Sequence, residues 1–234
     1  MLDIQNPGVS PLKPYFDLIS ESENLHGHLV EFGVWRGGSL STTALILKEL
    51  GSIKKVYGYD TFTGFPSTEP QDDFENFNSL YEQGVISASH FKNVMRNRKH
   101  LELRDVELTP NSISTSSNFS ETSEALVRKK IQYLNLDNIV QITNCDVRNL
   151  QSYQIPGSIS LALLDLDLYA GYKHILPILW ERLVPGGYIW LDEYYSLKFP
   201  GPRIAVDEFC RYMQIAPKLL CNWLDFERWV LQKD

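Results

Sequence analysis

Five short apolar segments, four of them closing on a glycine or an aspartate, limit what this chain can fold into more than any other feature. They are His28–Gly33 (HLVEFG), Lys55–Asp60 (KVYGYD), Ile139–Thr143 (IVQIT), Ile159–Asp165 (ISLALLD) and Gly187–Asp192 (GYIWLD). Helical stretches are expected between them, over 39–50, about 121–134, and 172–183, the last closed by Pro185-Gly186-Gly187. Ile159–Asp165 is nearly continuous apolar sequence, as a strand buried on both faces should be. Strands alternating with helices predict an α/β fold, a Rossmann-like, doubly wound, mostly parallel sheet with helices on both faces. Ligands of such sheets bind beyond the carboxyl ends of the strands. Gly33, Asp60, Asp165 and Asp192 all fall at such ends. Near the C-terminus, Trp223, Phe226 and Trp229 alternate with charges, which suits a final strand or hairpin on the sheet edge.

A length of 234 residues predicts one domain, 1–234, with a long insertion at about 67–123. From 66 to 120 the periodicity is weak, and the segment runs into a Ser/Thr/Asn-rich stretch, Thr109–Ser123. It reads equally as a solvated surface loop or as a mobile lid over the strand ends. The 22 Lys+Arg against 29 Asp+Glu give a net charge of −7, which leaves no broad grip on phosphate and excludes sequence-independent nucleic-acid binding. Cys145, Cys210 and Cys221 form no disulfide framework and lack zinc spacing, so a reduced, cytoplasmic protein is expected. The N-terminus shows no basic-then-apolar leader pattern. The longest apolar run, Ile159–Leu164, is far short of the roughly 20 residues that span a bilayer, so no membrane partner is expected. Asn118-Phe119-Ser120 matches a glycosylation sequon and is read as chance.

The segment Glu31–Ser39 (EFGVWRGGS) joins the first strand to the first helix. Glycines there permit a tight turn and bring a ligand close to backbone N–H groups at the helix start. A dinucleotide fingerprint would need glycine where Trp35 stands, which argues against NAD or FAD. A nucleoside cofactor without phosphate remains compatible. Asp60 is placed to accept hydrogen bonds from ribose hydroxyls, and Glu31 to hold a cationic or amino group. S-adenosylmethionine carries both. The plainer alternative is that Gly37 and Gly38 only let helix and strand pack closely.

Val30–Leu40 (VEFGVWRGGSL) and Tyr59–Pro66 (YDTFTGFP) resemble the macrocin O-methyltransferase family of class I, S-adenosylmethionine-dependent enzymes. Leu164–Tyr169 (LDLDLY) and Pro185–Tyr194 (PGGYIWLDEY) extend the resemblance, and Ala205–Phe209 (AVDEF) adds a weaker piece. It runs in order from about 28 to 210, with the middle segment poorly covered. The resemblance implies a class I methyltransferase fold with a lid-like insertion, and Mg²⁺-assisted methylation of a hydroxyl on a sugar attached to, or destined for, a natural product. It also implies that Glu31, Gly33, Val34, Trp35, Gly37, Ser39, Asp60 and Thr61 surround the cofactor. Asp146 is expected to reach the adenine amino group, with turn formation as its equal alternative.

Asp165 and Asp167 close the fourth strand, while Asp192 and Glu193 close the fifth. If these strands are neighbours, like charges converge at one sheet edge, which is unfavourable without a cation. All-oxygen ligands favour Mg²⁺, Mn²⁺ or Ca²⁺ over zinc. The resemblance implies Asp165, Asp192 and Glu193 as the ligands, although the family more usually carries Asp-Asp where this chain has Asp192-Glu193. Asp167 is left open between ligand and solvated acid. Two groups are candidates for the catalytic base: Asp165 by position and His90 by type. His174 is expected on a helix surface. Tyr169, Tyr194 and Tyr195 read as core or as sugar-pocket walls, and Arg36 as a carboxylate partner or a solvated side chain. The expected activity is O-methylation of a sugar or glycoside acceptor. Its rivals are catechol or phenol O-methylation and a non-catalytic binding module. Oligomeric state is left open, a homo-oligomer included.

Overall fold

The computed structural model describes residues 12–105, 107–223 and 226–234; the stretch 1–11 and the side chain of Trp223, both used above, lie outside the described residues. In chain order the elements are α1 (Lys13–Glu21), β1 (His28–Phe32), α2 (Gly38–Glu49), β2 (Val56–Asp60), α3 (Asn76–Glu82), α4 (Ala88–Glu102) and α5 (Glu124–Tyr133). There follow β3 (Val140–Asn144), β4 (Ile159–Leu164), α6 (Tyr169–Arg182), β5 (Leu183–Leu191), α7 (Gly201–Met213), β6 (Lys218–Trp223) and β7 (Phe226–Gln232).

The strands form one seven-stranded sheet in the order β3-β2-β1-β4-β5-β7-β6. The five strands from β3 to β5 are parallel, and β7 runs antiparallel to both β5 and β6. The C-terminal hairpin expected from the aromatic alternation is thus present, inserted so that its second strand borders β5. Chain direction across the sheet reverses between β1 and β4, which opens a crevice at their carboxyl ends.

Strand alternation divides the core into two layers. Leu29, Leu161, Leu163 and Trp190 pack with α1, α2 and α5 through Tyr15, Leu40, Leu47 and Val127. Val30, Phe32, Ala162 and Leu164 face α6 and α7 through Tyr172, Ile175, Val206 and Phe209. Complete burial of each such aliphatic or aromatic side chain contributes about 1.5–3 kcal/mol, so the central strands β1 and β4 anchor both layers at once.

Three expectations are corrected. Helix α6 begins at Tyr169 rather than at 172, because the buried carboxylate of Asp72, 97 residues upstream, accepts the Tyr169 N–H at 2.7 Å and caps the helix. Pro185-Gly186-Gly187 lies inside β5 instead of closing the helix before it. The β4–β5 register slips between Ile159 and Leu161, and Gly186 takes φ +81, so the proline's missing N–H falls in a bulge. The insertion is not a solvated loop: α3 and α4 bury Phe77, Leu80, Ile86 and Val94 in a cluster of their own.

The closest backbone approach in the sheet is at Gly33. Its φ is +94, and a Cβ there would lie 1.7 Å from the Asp165 carbonyl oxygen. Gly33→Ala should therefore cost at least about 3 kcal/mol and lower Tm by roughly 6 °C or more. Thermal denaturation followed by circular dichroism measures it; a Tm within 2 °C of wild type would contradict the close packing described.

Candidate functional site

A cleft opens over the carboxyl ends of β1, β2 and β4, with about 790 Å³ of empty space, open solvent included. Gly33, Trp35, Asp60, Thr61 and Asp146 of the expected cofactor set line it, together with Asp165 and Asp167. Asp60 is fixed from both sides: its Oδ2 accepts the Trp35 N–H at 2.7 Å and its Oδ1 the Phe62 N–H at 2.6 Å. Each oxygen keeps a further lone pair for a ligand hydroxyl. Phe65 and Phe119 form an apolar wall, their rings 5.3 Å apart, and Trp35 meets Phe119 edge-on at 5.5 Å. Trp35, Phe119 and Asp167 line this cleft with φ of +46, +62 and +59. Left-handed backbone at non-glycine residues is costly, and three of the residues that adopt it line this cleft.

The remaining members of the expected cofactor set lie off the cleft wall. Strand alternation turns Glu31 toward α1 and α2, where it is fully buried and its Oε1 accepts the Ser39 hydroxyl at 2.6 Å. Burial pushes its carboxyl up to about 8, offset by the Ser39 hydrogen bond and reinforced by Asp60. Glu31 and Ser39 therefore brace the glycine turn from beneath. Val34 is buried against Gly58, where a Cβ would lie 2.8 Å from its Cγ2, so it is a core residue. Gly37 takes φ +74 at the start of α2, and a Cβ there would lie 3.0 Å from Val127 Cγ1. That contact is with α5, an approach to a helix rather than the helix–strand packing weighed above. Asp146 does line the cleft, but Arg148 holds its carboxylate with contacts of 2.6 and 3.0 Å, and that pair lowers the Asp146 pKa. The ion pair, rather than a free acid, forms this part of the wall; Arg148 also reaches Ser67 Oγ at 2.5 Å.

Beside the cleft, Asp165, Asp192 and Glu193 each offer a carboxylate oxygen within 4.8 Å of the others. Adjacency of β4 and β5 produces this, since Leu164 pairs with Leu191 and the acids follow directly. Burial raises the pKa of Asp165 well above the carboxylate range, with Asp192 and Asp167 adding to it; Glu193 is raised in the same way by burial, Asp165 and Asp192. Asp167 stands outside the trio. Its carboxyl is pushed up by burial to about 7, with Lys198 opposing and Asp192 adding to the rise. Each of the last two acids of the trio has a partner that sequence reading missed. Asp192 Oδ1 accepts the Trp190 indole N–H at 3.0 Å and lies 3.3 Å from Arg228 Nη1. Glu193 Oε2 lies 2.7 Å from the Tyr172 hydroxyl. Trp190 is two residues from Asp192, whereas Arg228 and Tyr172 lie 36 and 21 residues from the acids they meet, and nothing local marks those two.

His90 does not have the environment of a base. It is buried, its Nε2 hydrogen-bonds the Ser196 carbonyl at 2.8 Å, and its ring stacks on Tyr195 with centroids 3.9 Å apart. Burial lowers its pKa to about 4, although the Ser196 hydrogen bond opposes this and Arg203 assists it. A neutral imidazole so weakly basic and so enclosed joins α4 to the turn that carries Glu193. His174 is half-buried rather than on the surface, with Nε2 2.8 Å from the Leu150 carbonyl oxygen. Tyr194 and Tyr195 are buried, and Tyr194 donates to Asp207 at 2.7 Å. Tyr169 donates to Glu208 at 2.9 Å, and Arg36 pairs with Glu121 at 3.2 Å on the surface.

Sheet order, a cleft at the switch point and an acid at the end of β2 define the class I methyltransferase fold. A family model described as a methyltransferase domain matches residues 30–194, and the chain belongs to this family. A curated relative from Streptomyces olivaceus, 8-demethyl-8-(2,3-dimethoxy-alpha-L-rhamnosyl)-tetracenomycin-C 4'-O-methyltransferase, is 27% identical over 174 residues, which is 74% of this chain and 55% of that protein. The chain thus spans about half the length of the curated relative it matches. Among solved structures, the O-methyltransferase NovP superposes with a TM-score of 0.65 at 22% identity, covering 94% of this chain and 79% of that one. The calicheamicin methyltransferase CalS11 gives 0.64 at 20% identity, covering 93% and 77%. The resemblance drawn from the sequence is borne out for family and fold.

Asp167 combines left-handed backbone with a carboxyl whose pKa is raised, so its ionisation destabilises the fold as pH rises from the ordinary carboxylate range through about 7. Asparagine tolerates this backbone and carries no charge. Asp167→Asn should therefore stabilise the metal-free protein by about 1–2 kcal/mol at pH 8 and by much less at pH 5. Urea melts at the two pH values test this, and equal effects at both would contradict it.

Proposed function

We propose that this protein is an S-adenosylmethionine-dependent O-methyltransferase assisted by Mg²⁺ or Mn²⁺, acting on a hydroxyl of a sugar or glycosylated small molecule. One observation supports this reading above the rest: Asp165 belongs both to the cleft wall and to the carboxylate trio. Cofactor and acceptor would therefore meet at one residue.

The cleft suits a nucleoside. Asp60 would receive ribose hydroxyls while its backbone partners hold it still. Phe65 and Phe119 would cover an adenine face, with the Asp146–Arg148 pair at its edge. Apolar walls and few polar groups are usual for such pockets.

The trio suits a hard divalent cation. Three convergent carboxylates are mutually repulsive, all their donors are oxygen, and Arg228 offsets only part of the charge at Asp192. Asp165, Asp192 and Glu193 would hold it. Bound there, Mg²⁺ would lower the pKa of an acceptor hydroxyl and orient it. Asp165 would take the hydroxyl proton as the oxygen takes the methyl group from the sulfonium, leaving S-adenosylhomocysteine and a methyl ether. A positioned base contributes about 10²–10⁴-fold, and alignment of hydroxyl and methyl several kcal/mol of the roughly 7–11 available from proximity. The relatives named above support a glycoside acceptor, because one acts on a rhamnosylated tetracenomycin and CalS11 is described as a TDP-rhamnose 3'-O-methyltransferase. A cytoplasmic location remains part of the proposal. Among the described residues no helix is long and apolar enough to cross a membrane.

Methyl transfer from labelled S-adenosylmethionine should be seen with glycosides bearing free deoxysugar hydroxyls and should be lost in EDTA. Methylation of catechol but of no glycoside would overturn the acceptor class. Full activity in EDTA would overturn the metal. Asp60→Ala should weaken S-adenosylhomocysteine binding at least about tenfold by calorimetry, since a hydrogen bond to a charged group is worth about 1.5–3 kcal/mol.

Raised carboxyl pKa values also give the metal reading a pH signature. Protons occupy these acids at low pH and must leave before a cation binds. Without metal, stability contributed by these groups falls as pH rises through their raised pKa values. Added Mn²⁺ should therefore raise Tm by several degrees at pH 8 and by little at pH 5. An equal shift at both pH values would count against binding at the trio.

A further inference from the structure

Tyr172 is fully buried in α6, and its hydroxyl oxygen lies 2.7 Å from the Leu164 carbonyl oxygen and 2.7 Å from Glu193 Oε2. The backbone N–H of Glu193 also points to it, at 3.5 Å. Leu164 immediately precedes Asp165, so one phenol bridges the two strand ends that carry the acid trio. A phenol has a single hydrogen. It donates to Glu193 when that carboxyl is ionised, and to Leu164 when Glu193 brings its own proton. The contact with Glu193 survives in both arrangements. We infer that Tyr172 is a positioning residue that fixes Glu193 through Oε2 and so allows this acid, one methylene longer than its neighbour Asp192, to serve as a metal ligand.

The inference rests on the metal reading above and deepens it. A glutamate has one more rotatable bond than an aspartate, and freezing it at the moment of binding would reduce affinity. Asp192 has its own anchors in Trp190 and Arg228, both on the far side of the sheet from α6. Glu193 Oε2 is anchored by Tyr172, a residue packed with Leu176, Val206 and Ile175 in the apolar layer. Groups that orient ligands in this way typically change metal affinity 10–100-fold when removed.

The test is a double-mutant cycle read by Mn²⁺ affinity rather than by turnover. Wild type, Tyr172→Phe, Glu193→Gln and the double variant are titrated with Mn²⁺, free ion being followed by electron paramagnetic resonance, and S-adenosylhomocysteine affinity is measured on the same samples. Tyr172→Phe should weaken Mn²⁺ about tenfold or more, leave S-adenosylhomocysteine affinity within about twofold, and have no further effect in the Glu193→Gln background. Unchanged Mn²⁺ affinity in Tyr172→Phe overturns the positioning role. So does an equal loss with and without Glu193, which would mean that the hydroxyl only supports the fold. Wild type that binds no Mn²⁺ at millimolar concentration overturns the metal reading itself, and the inference with it. Should Tyr172→Phe fail to fold, 4-fluorophenylalanine at position 172 fills the same space without a donor, and the same outcomes decide.

Discussion

Everything at the ligand end of this molecule depends on the approach of Gly33 to the Asp165 carbonyl. The Asp165 N–H donates to the Phe32 carbonyl at 2.9 Å, so β1 and β4 remain paired to their last residues. No side chain fits between them there. Because the strands stay together, the glycine turn and the first acid of the trio stand on opposite lips of one crevice. A wider separation would leave two unconnected sites, and Asp165 could not belong to both. The left-handed backbone at Trp35, Phe62 and Asp167 follows from the same constraint. Chains leaving closely paired strands must turn away sharply, and here they do so without the glycine that would make the turn easy.

Concentrating acids at that point costs stability, and the surrounding protein recovers only part of it. Asp192 is met by an indole N–H and a guanidinium, Glu193 by a phenol, Asp60 by two backbone amides. Asp165 has chiefly other acids as electrostatic neighbours, and these raise its pKa after burial has already done so. An arrangement in which the central acid is the least compensated is poor design for a structural cluster. It is coherent for a site completed by a cation.

Legibility in the sequence followed the range of the forces involved. Strand β4 was readable because burial on both faces leaves an almost unbroken apolar run, and the ends of β1 and β4 were readable because glycine and aspartate stand there. The trio was readable once β4 and β5 were taken as neighbours. Local patterning failed where a distant group decides. Asp72 starts α6 three residues early from 97 positions away, and Pro185 belongs to a strand because a bulge absorbs it. His90 looked like a base by residue type alone, and only its burial against Tyr195 and Ser196 shows it to be a packing group. Glu31, Val34, Gly37 and Ser39 belong to the glycine turn and its flanks, but none of them lines the cleft. Tyr172, Arg148 and Arg228 carry no sequence signal, since their roles exist only once the sheet has formed.

The insertion gains meaning from the places where it touches this frame. At one, Asn118 accepts the Phe65 N–H at 3.0 Å and the Thr122 hydroxyl donates to the Trp35 carbonyl at 2.5 Å, so the segment is fastened to the turn over the cofactor cleft. At the other, α4 packs His90 against Tyr195 and Asn97 donates to the Leu197 carbonyl at 3.2 Å, just past the turn that carries Glu193. Asp72 adds a third attachment at the start of α6, the helix that bears Tyr172. Between these attachments α3 and α4 share a packed cluster that also meets Leu197 and Ile204, so the segment is joined to both the cleft and the acid turn. Weak periodicity in 66–120 therefore reflects a small cap whose order comes in part from these contacts rather than from local patterning alone.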